Sequence, residues 1–246
     1  MSNSVYATDA SRLRERGFQL LTPPVSIASL DPSGDGEDYD GLVVVSREEH
    51  QRGEPNDPDF AVEFVYRLLM AHRLPRDWEF PDKLAAVFQL DRNLQRWTLQ
   101  KRQSTHFMCF ETNGVGYGYA SSFARKSMTK VIPYATVGRV TNVVPVNAKV
   151  AMPRLEALDN LRILMETGYF QLAKGAPGAK EFNNELQAFV WRGRNRPEAM
   201  QGQHDDLIMA ATGATWIGSK ILPPLLKQVK MPGPGRKPNH GRVRVH

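Results

Sequence analysis

Two short β-branched runs on either side of an acidic turn constrain the fold of this chain more than any other stretch. The runs are VSIASL (25–30) and GLVVVS (41–46), and the segment between them contains the Gly, Pro and Ser residues typical of turns. The pattern predicts a β-hairpin. Its turn is a solvated loop, a calcium loop or the first corner of a catalytic metal site. Five carboxylates occupy ten positions of the turn: Asp31, Asp35, Glu37, Asp38 and Asp40.

The calcium interpretation fails at one position. DPSGDG matches the start of an EF-hand loop, with ligands at positions 1, 3 and 5 and Gly at 6. The twelfth position should be a bidentate Glu, and here it is Leu42. The flanking sequence also lacks a helical pattern. We therefore expect Asp35, Glu37 and Asp40 to be solvated turn charge, with the status of Asp38 left open between turn and site.

The net charge of +6 is concentrated at the C-terminus, where six Lys/Arg and no acid occur between Lys227 and His246. The segment is rich in Pro and Gly and too poor in apolar residues to fold alone, so 223–246 is predicted to be a disordered basic tail. Arg236 and Lys237 in this tail are candidates for phosphate contacts, and incidental charge is the alternative.

Cysteine content and hydropathy indicate the cellular compartment in which this protein works. The single cysteine, Cys109, excludes an internal disulfide framework and a cysteine-cluster zinc site. No apolar run approaches the ~18–20 residues of a membrane helix, and the N-terminus lacks the apolar core of a signal peptide. We expect a protein of a reducing, cytosolic compartment without a membrane partner.

Strand and helix patterns alternate along the rest of the chain, which predicts an α/β or α+β layered domain without internal repeats. The predicted strands are 106–111, 131–137 and 185–191, and the predicted helices are 60–74, 117–129, 152–167 and 206–218.

Nucleotide-binding and nucleophilic motifs are weak. GATWIGSK (213–220) places Ser219 before Lys220, the reverse of a P-loop, and GVGYG (114–118) is not a dinucleotide fingerprint. Cys109 lies within the apolar HFMCF stretch, which is typical of a core residue. We expect no ATPase activity and no nucleophilic triad in this chain.

The remaining candidates for a catalytic site are carboxylates at the ends of predicted strands and helices. Asp31 follows one strand, Glu111 ends another, and HDD (204–206) opens a helix with Asp205 and Asp206. Each has an ordinary explanation, respectively a turn residue, a surface ion pair and a helix cap. Together they predict a cluster at one edge of a sheet, which needs cations to offset its repulsion. Hard oxygen ligands suit two Mg²⁺ or Mn²⁺ ions, as in phosphodiester hydrolysis.

The order of these motifs resembles the C-terminal nuclease domain of the large terminase subunit of tailed bacteriophages. LDPSGDGEDYDGLVVV, FETNGVGYG, AKVAMPRLEALDNLRILMETGYFQL, NELQAFVW and HDDLIMAA follow one another between about residues 25 and 220. The resemblance implies an α/β, RNase H-like mixed sheet flanked by helices. It also implies a two-metal endonuclease that cuts concatemeric viral DNA during genome packaging in the host cytoplasm.

The resemblance also implies roles for individual residues. Asp31 would bridge both metal ions, Glu111 would bind one, and Asp206 with Asp205 would complete the site, with Asp206 essential. Many relatives carry another acid where this chain has Met209. Three further residues are expected to support the site: Asp38, His204 and Asn113.

One departure concerns domain organisation. Large terminase subunits carry an N-terminal packaging ATPase, which residues 1–24 are too few to supply, so we expect 1–24 to be a linker segment and 25–222 the nuclease domain. The implied partners are double-stranded DNA and, in a full-length protein, the ATPase domain, the portal and the small terminase subunit. The open alternatives are another RNase H-like nuclease, such as a junction resolvase or recombinase, and a non-catalytic DNA- or portal-docking module. Arg192, Arg194 and Arg196 are further candidates for DNA contacts. The alternative is that they belong to a solvated face without a binding role.

Overall fold

The computed structural model describes residues 10–20, 24–33, 39–54, 57–101, 105–138, 145–146, 149–192, 196–200 and 204–224. Several predicted positions therefore lie outside the described residues: Asp35, Glu37, Asp38, Arg194, Arg236 and Lys237.

Strands and helices alternate through the described part of the chain. In order they are α1 (Ala10–Glu15), β1 (Gln19–Leu20), β2 (Val25–Asp31), β3 (Asp40–Arg52), β4 (Ala61–Leu74), α2 (Phe80–Lys101), β5 (His106–Glu111), α3 (Gly116–Lys126), β6 (Lys130–Val137), β7 (Pro145–Val146), β8 (Lys149–Pro153), α4 (Arg154–Glu166), β9 (Phe170–Leu172), α5 (Ala179–Ala188), β10 (Phe189–Arg192), β11 (Arg196–Ala199), α6 (Asp206–Trp216) and a π-helical turn (Ile217–Ile221).

One mixed sheet organises the fold. Its strands run in the order β7-β8-β6-β5-β2-β3-β4-β9, with β1 paired to β3, and β10 and β11 form a separate two-stranded sheet. β2 and β3 are antiparallel, whereas β2, β5, β6 and β8 run parallel to one another. The predicted α/β class and the predicted hairpin are confirmed, and its register places Asp31 opposite Gly41.

Helices cover both faces of the sheet, because successive side chains of a strand point to opposite faces. In β2, Ile27 packs into the core beneath α4, α5 and α6, while Leu30 packs into the core beneath α2 and α3. Every residue of α6 is buried. Small residues such as Ala210 and Gly213 allow this helix to lie close against the central strands.

The prediction of a helix for 60–74 is wrong, because these residues form the long strand β4, paired with β3 along its whole length. The apolar residues of this stretch fit both periodicities, but Val62, Phe64, Val65 and Tyr66 are β-branched or aromatic and favour a strand. The predicted strand 185–191 is also wrong in its first half, since Glu185 to Ala188 belong to α5. Helix α2 has no counterpart among the predicted elements.

The remaining predicted elements are confirmed. The structure has strands at 106–111 and 130–137 and helices at 116–126, 154–166 and 206–216. Within residues 10–20, Leu13 and Phe18 are buried against Val65, and β1 pairs with β3. The boundaries of the proposed linker, nuclease domain and tail stay predictions. None of the described helices is long and apolar enough to cross a membrane.

Candidate functional site

A polar cleft of about 470 Å³ opens at the ends of β2 and β5. Its wall contains four carboxylates that come from three distant parts of the sequence: Asp31, Glu111, Asp205 and Asp206. Arg154 lines the same cleft. The structure therefore brings together the four acids that the sequence predicts as a cluster, while their roles as metal ligands stay predictions.

Parallel pairing of β2 and β5 places the first two acids. Leu30 pairs with Phe110, so Asp31 and Glu111 follow at the ends of neighbouring strands, which lie about 4.8 Å apart. Two backbone N–H groups donate to Glu111, that of Asn113 to Oε2 at 2.9 Å and that of Thr136 to Oε1 at 3.2 Å. These bonds fix the orientation of this carboxylate at the cleft.

The start of α6 supplies the other two acids. Its first amides are capped by Glu185 of α5, whose Oε2 accepts from the N–H groups of Leu207 at 2.9 Å and Ile208 at 3.2 Å. Asp205 occupies the N-cap position but makes no side-chain capping bond. The ordinary explanation of Asp205 as a capping residue is therefore wrong. Both Asp205 and Asp206 line the cleft instead.

Glu185 is itself held by a cation. Arg73 of β4 donates through Nε at 2.9 Å and Nη2 at 2.5 Å to Glu185 Oε1. Burial raises the pKa of Glu185, against the opposing effect of Arg73 and of the two amides. The sequence offers no signal for this cap, because Glu185 lies in a stretch that its pattern assigns to a strand.

Electrostatic repulsion accumulates at Asp31. Its side chain remains partly accessible from the cleft, yet burial raises its pKa well above the usual range, and the charges of Glu111, Asp206 and Asp205 raise it further. The guanidinium of Arg154 opposes this effect and also pairs with Asp205 Oδ2 at 3.2 Å. An ionised Asp31 is therefore destabilised in this cleft unless further positive charge arrives.

Asp40 is a functional candidate that the sequence misses. It is predicted to be solvated turn charge, but it is buried, so this prediction is wrong. Its Oδ1 accepts from the backbone N–H and the hydroxyl of Ser33, and its Oδ2 accepts from Tyr119 and lies 3.4 Å from Lys83 Nζ. Asp40 thereby ties the segment after Asp31 to α2 and α3. Among five turn carboxylates, nothing in the sequence distinguishes it.

Two of the three supporting residues are described. Asn113 donates from Nδ2 to the Thr136 carbonyl at 2.8 Å, which ties the turn after Glu111 to β6. His204 lies at the edge of the cleft, with its Nδ1 3.9 Å from Asp206 Oδ2. The third, Asp38, lies outside the described residues.

The predicted DNA contacts are described only in part. Arg192 and Arg196 pair with each other in the β10–β11 ladder. Arg194, Arg236 and Lys237 lie outside the described residues. A DNA-binding role for these five basic residues stays a prediction.

The chemistry of the donor set fits a hard divalent cation, because Mg²⁺ and Mn²⁺ prefer carboxylate oxygens. The carboxylates also repel one another around Asp31, and a bound cation would offset this repulsion. Among the described residues, no group of three or more His, Cys, Asp or Glu side chains is already arranged to hold an ion. By residue type and charge, the four acids of the cleft nevertheless fit a divalent cation.

Solved structures with a similar fold are viral nuclease domains. The human cytomegalovirus terminase nuclease domain, manganese-soaked and with bound inhibitor, matches at a TM-score of 0.51 and 12% identity, over 81% of this chain and 85% of that one. The large terminase nuclease of thermophilic phage G20c with bound magnesium matches at 0.47 and 18% identity, over 80% and 86%. The large terminase nuclease domain of Thermus phage P74-26 matches at 0.46 and 14% identity, over 82% and 85%.

The likeness to the cytomegalovirus domain, at a TM-score of 0.51 and 12% identity, shows the fold. The match to the cytomegalovirus domain confirms the predicted RNase H-like mixed sheet of terminase nuclease domains. No protein-family model matches the sequence, and a search of curated proteins finds no match.

Proposed function

We propose that this chain is a metal-dependent DNA endonuclease of the terminase type, which cuts concatemeric viral DNA during genome packaging. The observation that carries the proposal is the convergence of Asp31, Glu111, Asp205 and Asp206 in one cleft. The fold shared with the cytomegalovirus terminase nuclease domain supports it, and in this chain Asp31 and Glu111 lie at the ends of adjacent central strands. An isolated surface acid would be screened by water, whereas Glu111 and Asp206 are buried and the cluster around Asp31 repels itself.

Divalent cations are the proposed cofactor. Asp31, Glu111, Asp205 and Asp206 would hold two Mg²⁺ or Mn²⁺ ions, with Asp206 the essential acid of α6. When bound, such ions activate a water and stabilise the charge that develops in phosphodiester hydrolysis. Metal dependence is supported by the neighbours, one solved with bound magnesium, one with bound cobalt and one after a manganese soak.

The chain's own groups prepare the cleft for a phosphate. Glu111 is oriented by two backbone amides, and Glu185 caps α6 so that Asp205 and Asp206 line the cleft. Arg154 pairs with Asp205 while much of its side chain stays exposed, which places a guanidinium where it can contact a phosphate oxygen.

The proposed setting is a packaging complex in the host cytoplasm. Double-stranded DNA is the substrate, and an ATPase domain, the portal and the small terminase subunit are the proposed partners. Candidate backbone contacts on the DNA are Arg192, Arg194, Arg196, Arg236 and Lys237.

Digestion of supercoiled plasmid with Mn²⁺, with Mg²⁺ or with EDTA tests the proposal. We expect nicking and linearisation with at least one metal, none with EDTA, and loss of cutting in Asp31→Ala, Glu111→Ala and Asp206→Ala. Plasmid left intact with both metals would contradict it. Preferential cutting of four-way junctions over linear duplex would favour a junction resolvase, and binding without cutting would favour a docking module.

A further inference from the structure

Arg76 stands at the same edge of the sheet as the carboxylate cleft. β4 ends at Leu74, which pairs with Asp40 at the start of β3, so the residues after Leu74 emerge beside the turn that follows Asp31. Two strand spacings of about 4.8 Å separate β4 from β2, which puts this position roughly 10 Å along the edge.

Tyr39 holds the guanidinium of Arg76 in place. The Arg76 guanidinium carbon lies 4.0 Å from the centre of the Tyr39 ring, within cation–π range. His204 packs edge-on to the same ring, with 5.1 Å between ring centres, and its Nε2 lies 3.3 Å from Arg76 Nη2. Because a guanidinium can only donate, this nitrogen of His204 accepts.

Arg73 also lies near the Tyr39 ring, with its guanidinium carbon 5.2 Å from the ring centre, but its charge is compensated whereas that of Arg76 is not. Arg73 is neutralised by its ion pair with Glu185. Arg76 is exposed, and its contacts with the described residues are those with Tyr39 and His204, neither of them a carboxylate. Nη2 of Arg76 hydrogen-bonds to His204, and a guanidinium has five N–H donors in all, so the described residues leave Arg76 its charge and further donors for a ligand.

We infer that Arg76, stacked on Tyr39, binds a backbone phosphate of the DNA close to the phosphate that lies in the carboxylate cleft. This inference rests on the proposed function, because it takes DNA as the ligand. Four carboxylates repel an approaching polyanion, and Arg154 is the cation in the cleft wall. A stacked guanidinium is weakly hydrated and preorganised, which suits it to phosphate oxygens better than a flexible ammonium.

Equilibrium binding of a short mixed-sequence duplex to the full chain in EDTA tests the inference without any cleavage. Affinity is measured between about 50 and 200 mM salt for wild type, Arg76→Ala, Tyr39→Leu and Tyr39→Phe. We expect Arg76→Ala to reduce the slope of log affinity against log salt by about 1. Tyr39→Leu should weaken binding, and Tyr39→Phe, which keeps the ring, should not.

Arg92→Ala is the matched control, because Arg92 is also exposed but hydrogen-bonds to Gln89 on the outer side of α2. An Arg76→Ala slope equal to those of wild type and Arg92→Ala would overturn the inference and leave the nuclease proposal intact. A reduced slope in a protein that never cuts plasmid would support the phosphate contact and contradict the nuclease. Absence of duplex binding by wild type at every salt concentration would overturn the inference directly.

Discussion

Gly41 and Asp206 are in direct backbone contact, and no side chain fits between them. A Cβ added to Gly41 would overlap the carbonyl carbon and oxygen of Asp206. Because Gly41 pairs with Asp31 across the hairpin, this contact sets the start of α6 beside the end of β2. The absence of a side chain at Gly41 thus controls how closely Asp206 approaches Asp31.

Gly41→Ala should therefore impair cleavage. The added methyl group pushes the start of α6 away from the sheet, and a displacement of about 1 Å in a catalytic group lowers the rate roughly a hundredfold. Plasmid cleavage in Mn²⁺ measures the effect. Gly118→Ala is the control, since its Cβ would meet only ring atoms of Phe80 at an ordinary 3.7 Å. Equal cleavage by both variants would contradict this role of Gly41.

Asp40→Asn should weaken both the fold and the site. The substitution removes the negative charge that faces Lys83. It also replaces one of the two carboxylate oxygens that accept hydrogen bonds from Ser33 and Tyr119. Loss of hydrogen bonds to a buried charge costs about 1.5–3 kcal/mol. Urea unfolding and plasmid cleavage measure the two effects. Asp77→Asn, at an exposed acid, should change neither. If Asp40→Asn unfolds and cuts like Asp77→Asn, the turn is not held by Asp40.

The hydrogen bonds of Asp91, far from the cleft, should make the stability of the protein depend on pH. Burial opposes its ionisation, but hydrogen bonds from His106 at 2.7 Å, Thr129 at 2.6 Å and Ser127 at 2.8 Å outweigh burial and lower the pKa of Asp91. A carboxyl whose pKa is lower in the folded state stabilises the protein above its unfolded pKa of about 3.9, and this stabilisation is lost as pH falls through the lower folded value.

Asp91→Asn should accordingly reduce the free energy of unfolding at pH 7, by about 1.5–3 kcal/mol. The difference from wild type should shrink as the pH falls below about 4. Urea titrations across this range provide the measurement. A difference that stays constant with pH would contradict the assignment of the stabilisation to ionised Asp91.

The hairpin and the carboxylate cluster are predictable because local patterns encode them. β-branched runs around Gly- and Pro-rich residues specify β2 and β3, and acids at strand ends converge wherever the strands are parallel neighbours. Asp31 and Glu111 follow this rule directly.

Other features depend on tertiary contacts that no local pattern records. β4 carries apolar residues compatible with either periodicity, and its pairing with β3 decides for a strand. Asp40 is distinguished from the other turn acids only by side chains from distant helices, Lys83 and Tyr119. Glu185 likewise caps α6 from another helix.

Asp31→Asn should stabilise the metal-free protein. Burial and neighbouring carboxylates raise the pKa of Asp31, and a carboxyl with a raised folded pKa destabilises the fold increasingly as pH rises above its unfolded value. In EDTA at pH 7 the variant should therefore melt at a higher temperature than wild type. Mn²⁺ should raise the melting temperature of wild type but not of the variant. A variant that melts lower than wild type in EDTA would contradict the repulsion described for the cleft.

The central claim is that Asp31 is part of a metal-dependent catalytic cleft, and plasmid cleavage by Asp31→Asn tests it most directly. Wild type, Asp31→Asn and the exposed control Asp77→Asn are incubated with supercoiled plasmid in Mn²⁺ and in EDTA. We predict cutting by wild type and Asp77→Asn in Mn²⁺ alone, and no detectable cutting by Asp31→Asn while it remains folded. Undiminished cutting by Asp31→Asn, or cutting by wild type in EDTA, would contradict the account.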